Sequence, residues 1–181
     1  FKPISKGVGL VIGCSTFPTW NTVPGVFANL ISGNATVIKP HPKSIMPIAI
    51  VVAEMQNVLV ENGLSPYTVQ LAVDTVAKPI TKDLAEHKDI KLIDYTGGTA
   101  FGDYIESIPG KTVFTEKAGV NSVILESVKD PKAVFGNLAF SFSLYSGQMC
   151  TAPQNIFVPA DGIKTEEGHL SYDEVVEGLS K

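Results

Sequence analysis

Gly7-Val8-Gly9-Leu10-Val11-Ile12-Gly13 is an apolar run bounded by glycines near the start of this 181-residue chain. A short run that is apolar at consecutive positions is typical of a strand buried in a parallel sheet. Val23 to Ser32 follows with the pattern of a helix, which Gly33-Asn34 ends. Ala35 to Lys39 then predicts a second strand, ended by Pro40. The chain therefore begins with a strand, a helix and a second strand, which is the unit that α/β proteins repeat.

The same alternation continues to the end of the chain. Further strands are predicted at Thr68–Val73, Ile90–Tyr95, Thr112–Thr115, Ser122–Leu125 and Asn155–Val158. Further helices are predicted at Met46–Glu61, Ile80–Glu86, Phe101–Ile108, Pro131–Leu144 and Ser171–Leu179, the last with Ser171 as its N-cap. This order predicts an α/β fold with a largely parallel sheet flanked by helices. Ligands of such sheets bind at the carboxyl ends of the strands.

Composition excludes several classes of function. The net charge is −4 and no basic stripe is visible, so we expect no nucleic-acid partner. No apolar run reaches the roughly 18 residues of a membrane span, so we expect no membrane partner. Cys14 and Cys150 match no metal spacing and favour a reducing compartment. His41, His87 and His169 are scattered, so we expect no metal site.

Two residues are candidates for covalent and acid–base chemistry. Cys150 lies in the run Ser146 to Ala152, between a predicted helix and a predicted strand. Its thiolate would be a good nucleophile, although free cysteines are often buried and inert. Glu116 comes just after a predicted strand, where a carboxylate is well placed to act as a general base. The alternative is a solvated acidic residue that pairs with Lys117 or another cation.

Two further features are candidates for binding an anion or a ribose. Lys39 ends a predicted strand, where its charge could hold a phosphate or a ribose, and the alternative is a surface lysine. Thr96-Gly97-Gly98-Thr99 joins a predicted strand to a predicted helix. Glycines there would let a pyrophosphate approach the helix amides, although an ordinary turn between strand and helix has the same composition.

Taken in order, these motifs resemble the aldehyde dehydrogenase superfamily. The motifs that carry the resemblance are Phe17-Pro18, Ser32-Gly33-Asn34, Val37-Ile38-Lys39-Pro40, the segment Tyr95 to Gly102, Glu116, and Gly147-Gln148-Met149-Cys150-Thr151-Ala152. The resemblance runs from about Gly7 to Val158, and the spacing of 34 residues from Glu116 to Cys150 also fits the family. Within the family, the chain is most similar to phenylacetic acid degradation proteins, which are related to enzymes that oxidise a CoA-thioester aldehyde.

The resemblance implies a Rossmann-like, partial NAD(P)-binding domain over residues 1–117 and the start of a catalytic domain over residues 118–181. Cys150 would attack an aldehyde to give a thiohemiacetal and then a thioester, and Glu116 would activate the water that hydrolyses it. Lys39 would hold the adenosine ribose. Gly97 and Gly98 would lie near the pyrophosphate. Ile12 is the remaining expected cofactor-binding residue.

The sequence departs from the family at several positions. Thr16 stands 23 residues before Lys39, where the family has an Asn that stabilises the oxyanion, and Asn21 comes too late in the chain to replace it. The family's Glu-Leu-Gly-Gly-Lys reads Glu116-Lys117-Ala118-Gly119-Val120 here. Pro42 replaces a Glu typical of NAD-preferring members, which leaves NAD and NADP open with a slight preference for NADP. Asn155 replaces an Arg.

The chain begins at Phe1 without an initiator Met, so we expect a fragment of a longer protein that is inactive alone. For the whole protein the resemblance implies a cytoplasmic homo-oligomer that acts on a small-molecule aldehyde, such as a CoA thioester. One alternative is a catalytically impaired or non-enzymatic relative, which Thr16 and Asn155 favour. Another is a CoA-acylating dehydrogenase, against which Glu116 argues, because that class has less need of a hydrolytic base.

Overall fold

The structure is a computed structural model that describes residues 3–180. The chain divides into two compact units, the first ending at Lys117 and the second beginning at Ala118. Each unit has its own hydrophobic core.

The first unit alternates strands and helices along its length. In chain order its elements are β1 Val8–Ile12, α1 Val23–Ile31, β2 Ala35–Lys39, α2 Ile45–Glu61, a 3₁₀ turn Pro66–Thr68, β3 Val69–Leu71, α3 Thr81–Glu86, β4 Ile90–Gly97, α4 Thr99–Glu106 and β5 Thr112–Lys117. The strands form one sheet in the order β3-β2-β1-β4-β5, and every neighbouring pair is parallel. The predicted α/β fold with a largely parallel sheet is confirmed.

Helices pack on both faces of this sheet. On one face, Val11 and Ile38 pack with Val26 of α1 and with residues of α2. On the other face, Ile93 packs with Ala85 of α3 and Ile105 of α4. Alternate residues of each buried strand serve opposite cores, which explains why the first apolar run in the sequence is continuous rather than alternating.

Two strand ends differ from the sequence prediction in a way that matters for the site. The strand β4 continues through Thr96 and Gly97, because these residues pair with Glu116 and Lys117 of β5. The prediction that Glu116 follows its strand is therefore wrong, since it lies inside β5. The helix α4 also begins at Thr99, directly after Gly98 and earlier than predicted.

The second unit contains a parallel strand pair, two helices and a hairpin. Its elements are β6 Asn121–Ile124, α5 Pro131–Ser143, a 3₁₀ segment Leu144–Gly147, β7 Pro153–Phe157, β8 Ile163–Thr165, β9 Gly168–Leu170 and α6 Tyr172–Leu179. The strands β6 and β7 are parallel, and β8 and β9 are antiparallel. The predicted N-cap is confirmed: the Ser171 hydroxyl accepts from the Glu174 amide, and the Glu174 carboxylate accepts from the Ser171 amide.

Candidate functional site

A cavity of about 540 Å³ opens in the first unit at the carboxyl ends of β1, β2 and β4. It collects five of the residues that the sequence singled out, namely Ile12, Thr16, Lys39, Gly97 and Gly98. The position follows from the topology, because β1 and β4 are neighbours whose following helices pack on opposite faces. The chain therefore diverges at these strand ends and leaves a crevice, the usual ligand site of such sheets.

The N-terminus of α4 forms one wall of the cavity. Gly98 is its N-cap and supplies no side-chain acceptor, so the first-turn amides have no cap of their own. A side chain at Gly98 would meet no atom within 4 Å, whereas a Cβ at Gly97 would lie 2.4 Å from the Tyr95 hydroxyl. That hydroxyl donates to the Gly98 carbonyl at 2.9 Å, and burial raises the pKa of Tyr95. Uncapped amides at a helix start suit a phosphate group.

A buried ion pair lies at the β2 end of the cavity. The Lys39 ammonium is 2.6 Å from Asp74 Oδ1, and the two side chains are only 5% and 0% exposed. The other Asp74 oxygen accepts from the Ile80 amide at 3.1 Å. The alternative of a surface lysine is therefore wrong. Asp74 was missed from the sequence, where the only signal was a lone carboxylate directly after the apolar residues of a predicted strand.

His41 lines the cavity beside Lys39. Burial lowers its pKa most, and the positive charges of Lys39 and Lys43 lower it further. The imidazole is therefore neutral at pH 7, and its Nδ1 accepts from the Lys43 amide at 3.1 Å.

Of the two candidates for the oxyanion position, Thr16 lines the cavity, together with Gly13, Cys14 and Ser15 of the same loop, and Asn21 does not. The Asn21 side-chain amide instead donates to Cys14 Sγ at 3.2 Å. The oxyanion role of Thr16 stays a prediction.

Glu116 is not among the residues that line this cavity. It pairs with Thr96 across the β4–β5 ladder, and strand alternation places it on the opposite face from Lys117. The Lys117 ammonium instead forms ion pairs with Asp103 at 2.8 Å and with Glu106 at 2.9 Å.

Asp94 shares the sheet face of Glu116. Burial raises the pKa of Asp94 most, and the negative charge of Glu116 raises it further. The Glu116 carboxylate is therefore close enough to Asp94 to raise the pKa of that residue.

Cys150 belongs to the second unit and is exposed, which argues against a cysteine buried in a core. The backbone just before it is unusual: Tyr145 and Ser146 have φ angles of 51° and 58°, followed by Gly147 at 70°. Left-handed conformations are uncommon for residues with a Cβ and tend to concentrate at functional sites.

Asn121 fixes the cysteine segment to β6. Its side-chain amide donates to the carbonyl of Cys150 at 2.6 Å and to the carbonyl of Ala152 at 3.1 Å. Sequence reasoning missed this role, because Asn121 lies 29 residues from Cys150 along the chain. An anchored backbone gives the thiol a defined position.

Among residues 3–180, no group of three or more His, Cys, Asp and Glu side chains could hold a metal ion. Within the same range, no helix has the length and apolar character needed to cross a bilayer.

The solved structures and the curated protein described next, to which the chain is similar, are dehydrogenases. An NAD-dependent aldehyde dehydrogenase from Burkholderia multivorans is 50% identical, with a TM-score of 0.89 over 97% of this chain and 32% of that one. An NADP-dependent glyceraldehyde-3-phosphate dehydrogenase from Bacillus halodurans C-125, solved with NADP, is 25% identical, with a TM-score of 0.74 over 96% of this chain and 34% of that one.

A curated relative, the 1-pyrroline-5-carboxylate dehydrogenase of Bacillus subtilis (strain 168), is 27% identical over 94% of this chain and 32% of its own length. The chain thus spans about a third of the length of the relatives it matches. The model of the aldehyde dehydrogenase family matches residues 2–167. With this match and the parallel sheet that carries the cavity, the chain belongs to the aldehyde dehydrogenase family.

Proposed function

We propose that the chain is part of an NAD(P)-dependent aldehyde dehydrogenase that oxidises an aldehyde to a carboxylic acid through Cys150. The observation that carries this proposal is the cavity in which Ile12, Lys39, Gly97 and Gly98 meet at the carboxyl ends of the strands. Family membership supports the reaction class.

The cavity residues fit the adenosine diphosphate half of NAD or NADP. The Lys39 ammonium, held by Asp74, would donate to ribose oxygens. The uncapped amides after Gly98 would donate to the pyrophosphate oxygens, helped by the positive end of the α4 dipole. Ile12 would supply an apolar surface between them. When bound, the cofactor supplies the acceptor for the hydride that leaves the aldehyde carbon.

Cys150 would be the nucleophile. Its thiolate attacks the aldehyde carbon and gives a thiohemiacetal whose oxygen carries the negative charge. Loss of the hydride from that carbon restores the carbonyl and leaves an acyl thioester on Cys150. The strained turn before Cys150 and the Asn121 anchor support this assignment, because they fix the backbone from which the thiol projects.

Thr16 and Glu116 would act before and after the hydride step. The Thr16 hydroxyl would donate to the thiohemiacetal oxygen, although it is shorter than the Asn side chain it replaces. Glu116 would take a proton from the water that attacks the thioester carbon. That attack breaks the C–S bond, releases the carboxylic acid and returns the Cys150 thiolate.

The substrate would be a small-molecule aldehyde. The sequence resemblance to phenylacetic acid degradation proteins supports a place in aromatic catabolism and an aldehyde that carries a CoA thioester. We further propose that the full-length protein is a cytoplasmic homo-oligomer, as the same resemblance implies. The two widely spaced cysteines agree with a reducing compartment.

The test is a comparison of full-length protein with its Cys150→Ala variant on a broad panel of aldehydes with NAD and NADP. We expect cofactor reduction by the unmodified protein and none by Cys150→Ala. Iodoacetamide should label Cys150 faster than Cys14. No turnover on any aldehyde, together with no nucleotide binding by calorimetry, would overturn the enzyme proposal in favour of a non-catalytic relative.

A further inference from the structure

We propose that Asp74, acting through Lys39, makes this cofactor site selective for NAD over NADP. The inference rests on the proposed function, since it concerns the nucleotide that the same cavity takes. Asp74 is a positioning residue, because it lies behind Lys39 and is not among the residues that line the cavity.

The ion pair determines what charge the cavity presents at Lys39. The Lys39 ammonium and the Asp74 carboxylate are 2.6 Å apart and almost fully excluded from solvent, so neither charge is screened by water. A carboxylate this close cancels most of the positive potential that a phosphate would feel at Lys39. The ammonium has three N–H groups, so the ion pair with Asp74 leaves others to donate to uncharged ribose hydroxyls.

The carboxylate is held in place by the backbone as well as by the lysine. The second oxygen of Asp74 accepts from the Ile80 amide at 3.1 Å, just before α3. Pro79 and Thr81, on either side of Ile80, both line the cavity. Asp74 therefore cannot turn away from Lys39 without giving up a hydrogen bond that orders the cavity wall.

The other basic groups of the cavity do not replace the charge that Asp74 cancels. Among the described lining residues these are His41 and Lys82. The pKa of His41 is lowered, so the imidazole is neutral at pH 7. The Lys82 side chain is 65% exposed and lies 3.9 Å from the Glu86 carboxylate, so water and Glu86 weaken its field.

These charges distinguish NAD from NADP at the 2′ position of the adenosine ribose. NAD carries a 2′-hydroxyl on the adenosine ribose, which a neutralised Lys39 can still bind. NADP carries a 2′-phosphate dianion, which would lie near the Asp74 carboxylate and gain little from a lysine that is already paired. The absence of a Glu at Pro42, which left NADP open on sequence grounds, is thus offset by a carboxylate from elsewhere in the chain.

The test is calorimetric binding of NAD, NADP, adenosine 5′-monophosphate and adenosine 2′,5′-bisphosphate to the full-length protein. We expect the unmodified protein to bind NAD and the monophosphate at least about tenfold more tightly than their 2′-phosphorylated counterparts. In Asp74→Asn, which leaves Lys39 charged and unpaired, the ratio should shift toward the 2′-phosphorylated ligands by about tenfold. NADP should then raise the melting temperature of Asp74→Asn more than it raises that of the unmodified protein.

Asp103→Asn is the matched control, since its carboxylate pairs with Lys117 and does not line the cavity. It should leave the ratio unchanged. Binding without preference for NAD in the unmodified protein, or an unchanged ratio in Asp74→Asn, would overturn this inference and leave the proposed function standing. Binding of none of the four nucleotides would overturn both. If Asp74→Asn does not fold, the binding preference of the unmodified protein tests the inference. Asp74→Glu, which keeps the carboxylate, should then retain the preference for NAD.

Discussion

At the scale of single residues, the missing side chain of Gly98 leaves the first-turn amides of α4 uncapped, where we propose that the pyrophosphate binds. We predict that Gly98→Asp weakens NAD binding by about 10- to 100-fold, since the new carboxylate would accept from those amides and repel the pyrophosphate. The same change should not lower the melting temperature, because the position is open and an aspartate there is a good N-cap. Calorimetry and thermal unfolding of the full-length protein measure both effects.

Gly98→Ala is the control for this prediction. Its φ of −68° is open to any residue, and alanine adds neither a charge nor an acceptor. NAD binding by Gly98→Ala should stay near that of the unmodified protein. Unimpaired binding by Gly98→Asp would show that the pyrophosphate does not sit at this helix end.

Asp94 gives a prediction about pH. Its pKa is raised above the ordinary value of 3.8 by burial and then by Glu116, so folding favours the neutral acid relative to the unfolded chain. The stability this residue contributes is fully present below that ordinary value and is lost as pH rises through the raised pKa. Asp94→Asn, which is always neutral, should therefore be more stable than the unmodified protein at pH 7 and similar to it near pH 3.

Urea denaturation of both proteins at pH 7 and near pH 3 measures the difference in their free energies of unfolding. The exposed carboxylate of Glu54 on α2 provides a control, and Glu54→Gln should show no such trend. A destabilised Asp94→Asn at pH 7 would mean that the charged form of Asp94 has a stabilising partner in the folded protein.

The cofactor-binding residues that the sequence predicted lie at strand ends, whereas the residues it missed act on partners that are distant along the chain. Lys39, Gly97 and Gly98 stand at strand ends, and periodicity along the chain is enough to locate a strand end. Asp74 and Asn121 act on partners 35 and 29 residues away, respectively. Such pairs depend on which strands become neighbours, and the sequence pattern alone does not set that order.

At the scale of elements, helix α6 depends on its N-terminal capping box. The Ser171 hydroxyl accepts from the Glu174 amide at 3.3 Å, and the Glu174 carboxylate accepts from the Ser171 amide at 2.8 Å. We predict that Ser171→Ala destabilises α6 by about 1 kcal/mol, because the first-turn amide loses its acceptor. Amide hydrogen exchange over Tyr172–Leu179 in the full-length protein measures this loss.

Ser180→Ala tests the other end of the same helix, where the hydroxyl only donates back to the Val176 carbonyl. It should have little effect on exchange. The pKa of Glu174 is lowered by its bonds to Ser171, so the capping stabilisation is present at neutral pH and lost as pH falls through that lowered pKa. Equal exchange rates in Ser171→Ala and Ser180→Ala would contradict the prediction.

The hairpin of β8 and β9 shows where element prediction from sequence stops. Each strand has three residues, too few for an alternating pattern to stand out. Glycine 162, at φ 97°, turns the chain into β8 so closely that a Cβ there would collide with the Leu170 carbonyl. The longer helices and strands of the first unit carry a clear period, and they were placed to within a few residues.

At the scale of the whole molecule, the nucleotide cavity and the cysteine belong to different units of the chain. The cavity is formed entirely by residues before Lys117, whereas Cys150 and its Asn121 anchor come after it. Nucleotide binding and aldehyde oxidation can therefore be separated by experiment. We expect nucleotide binding to need only the first unit, and oxidation to need the thiol and a substrate site as well.

We predict that the isolated 181-residue chain binds adenosine nucleotides but shows no dehydrogenase turnover. Every residue proposed to hold the nucleotide is present, but the chain is only about a third as long as its relatives, and no aldehyde site is assigned within it. Calorimetry with NAD and a spectrophotometric assay for cofactor reduction measure the two properties, with full-length protein as the positive control. Turnover by the isolated chain would mean that an aldehyde site lies within these residues. Absent nucleotide binding by a folded chain would mean that the cavity needs residues from the rest of the protein.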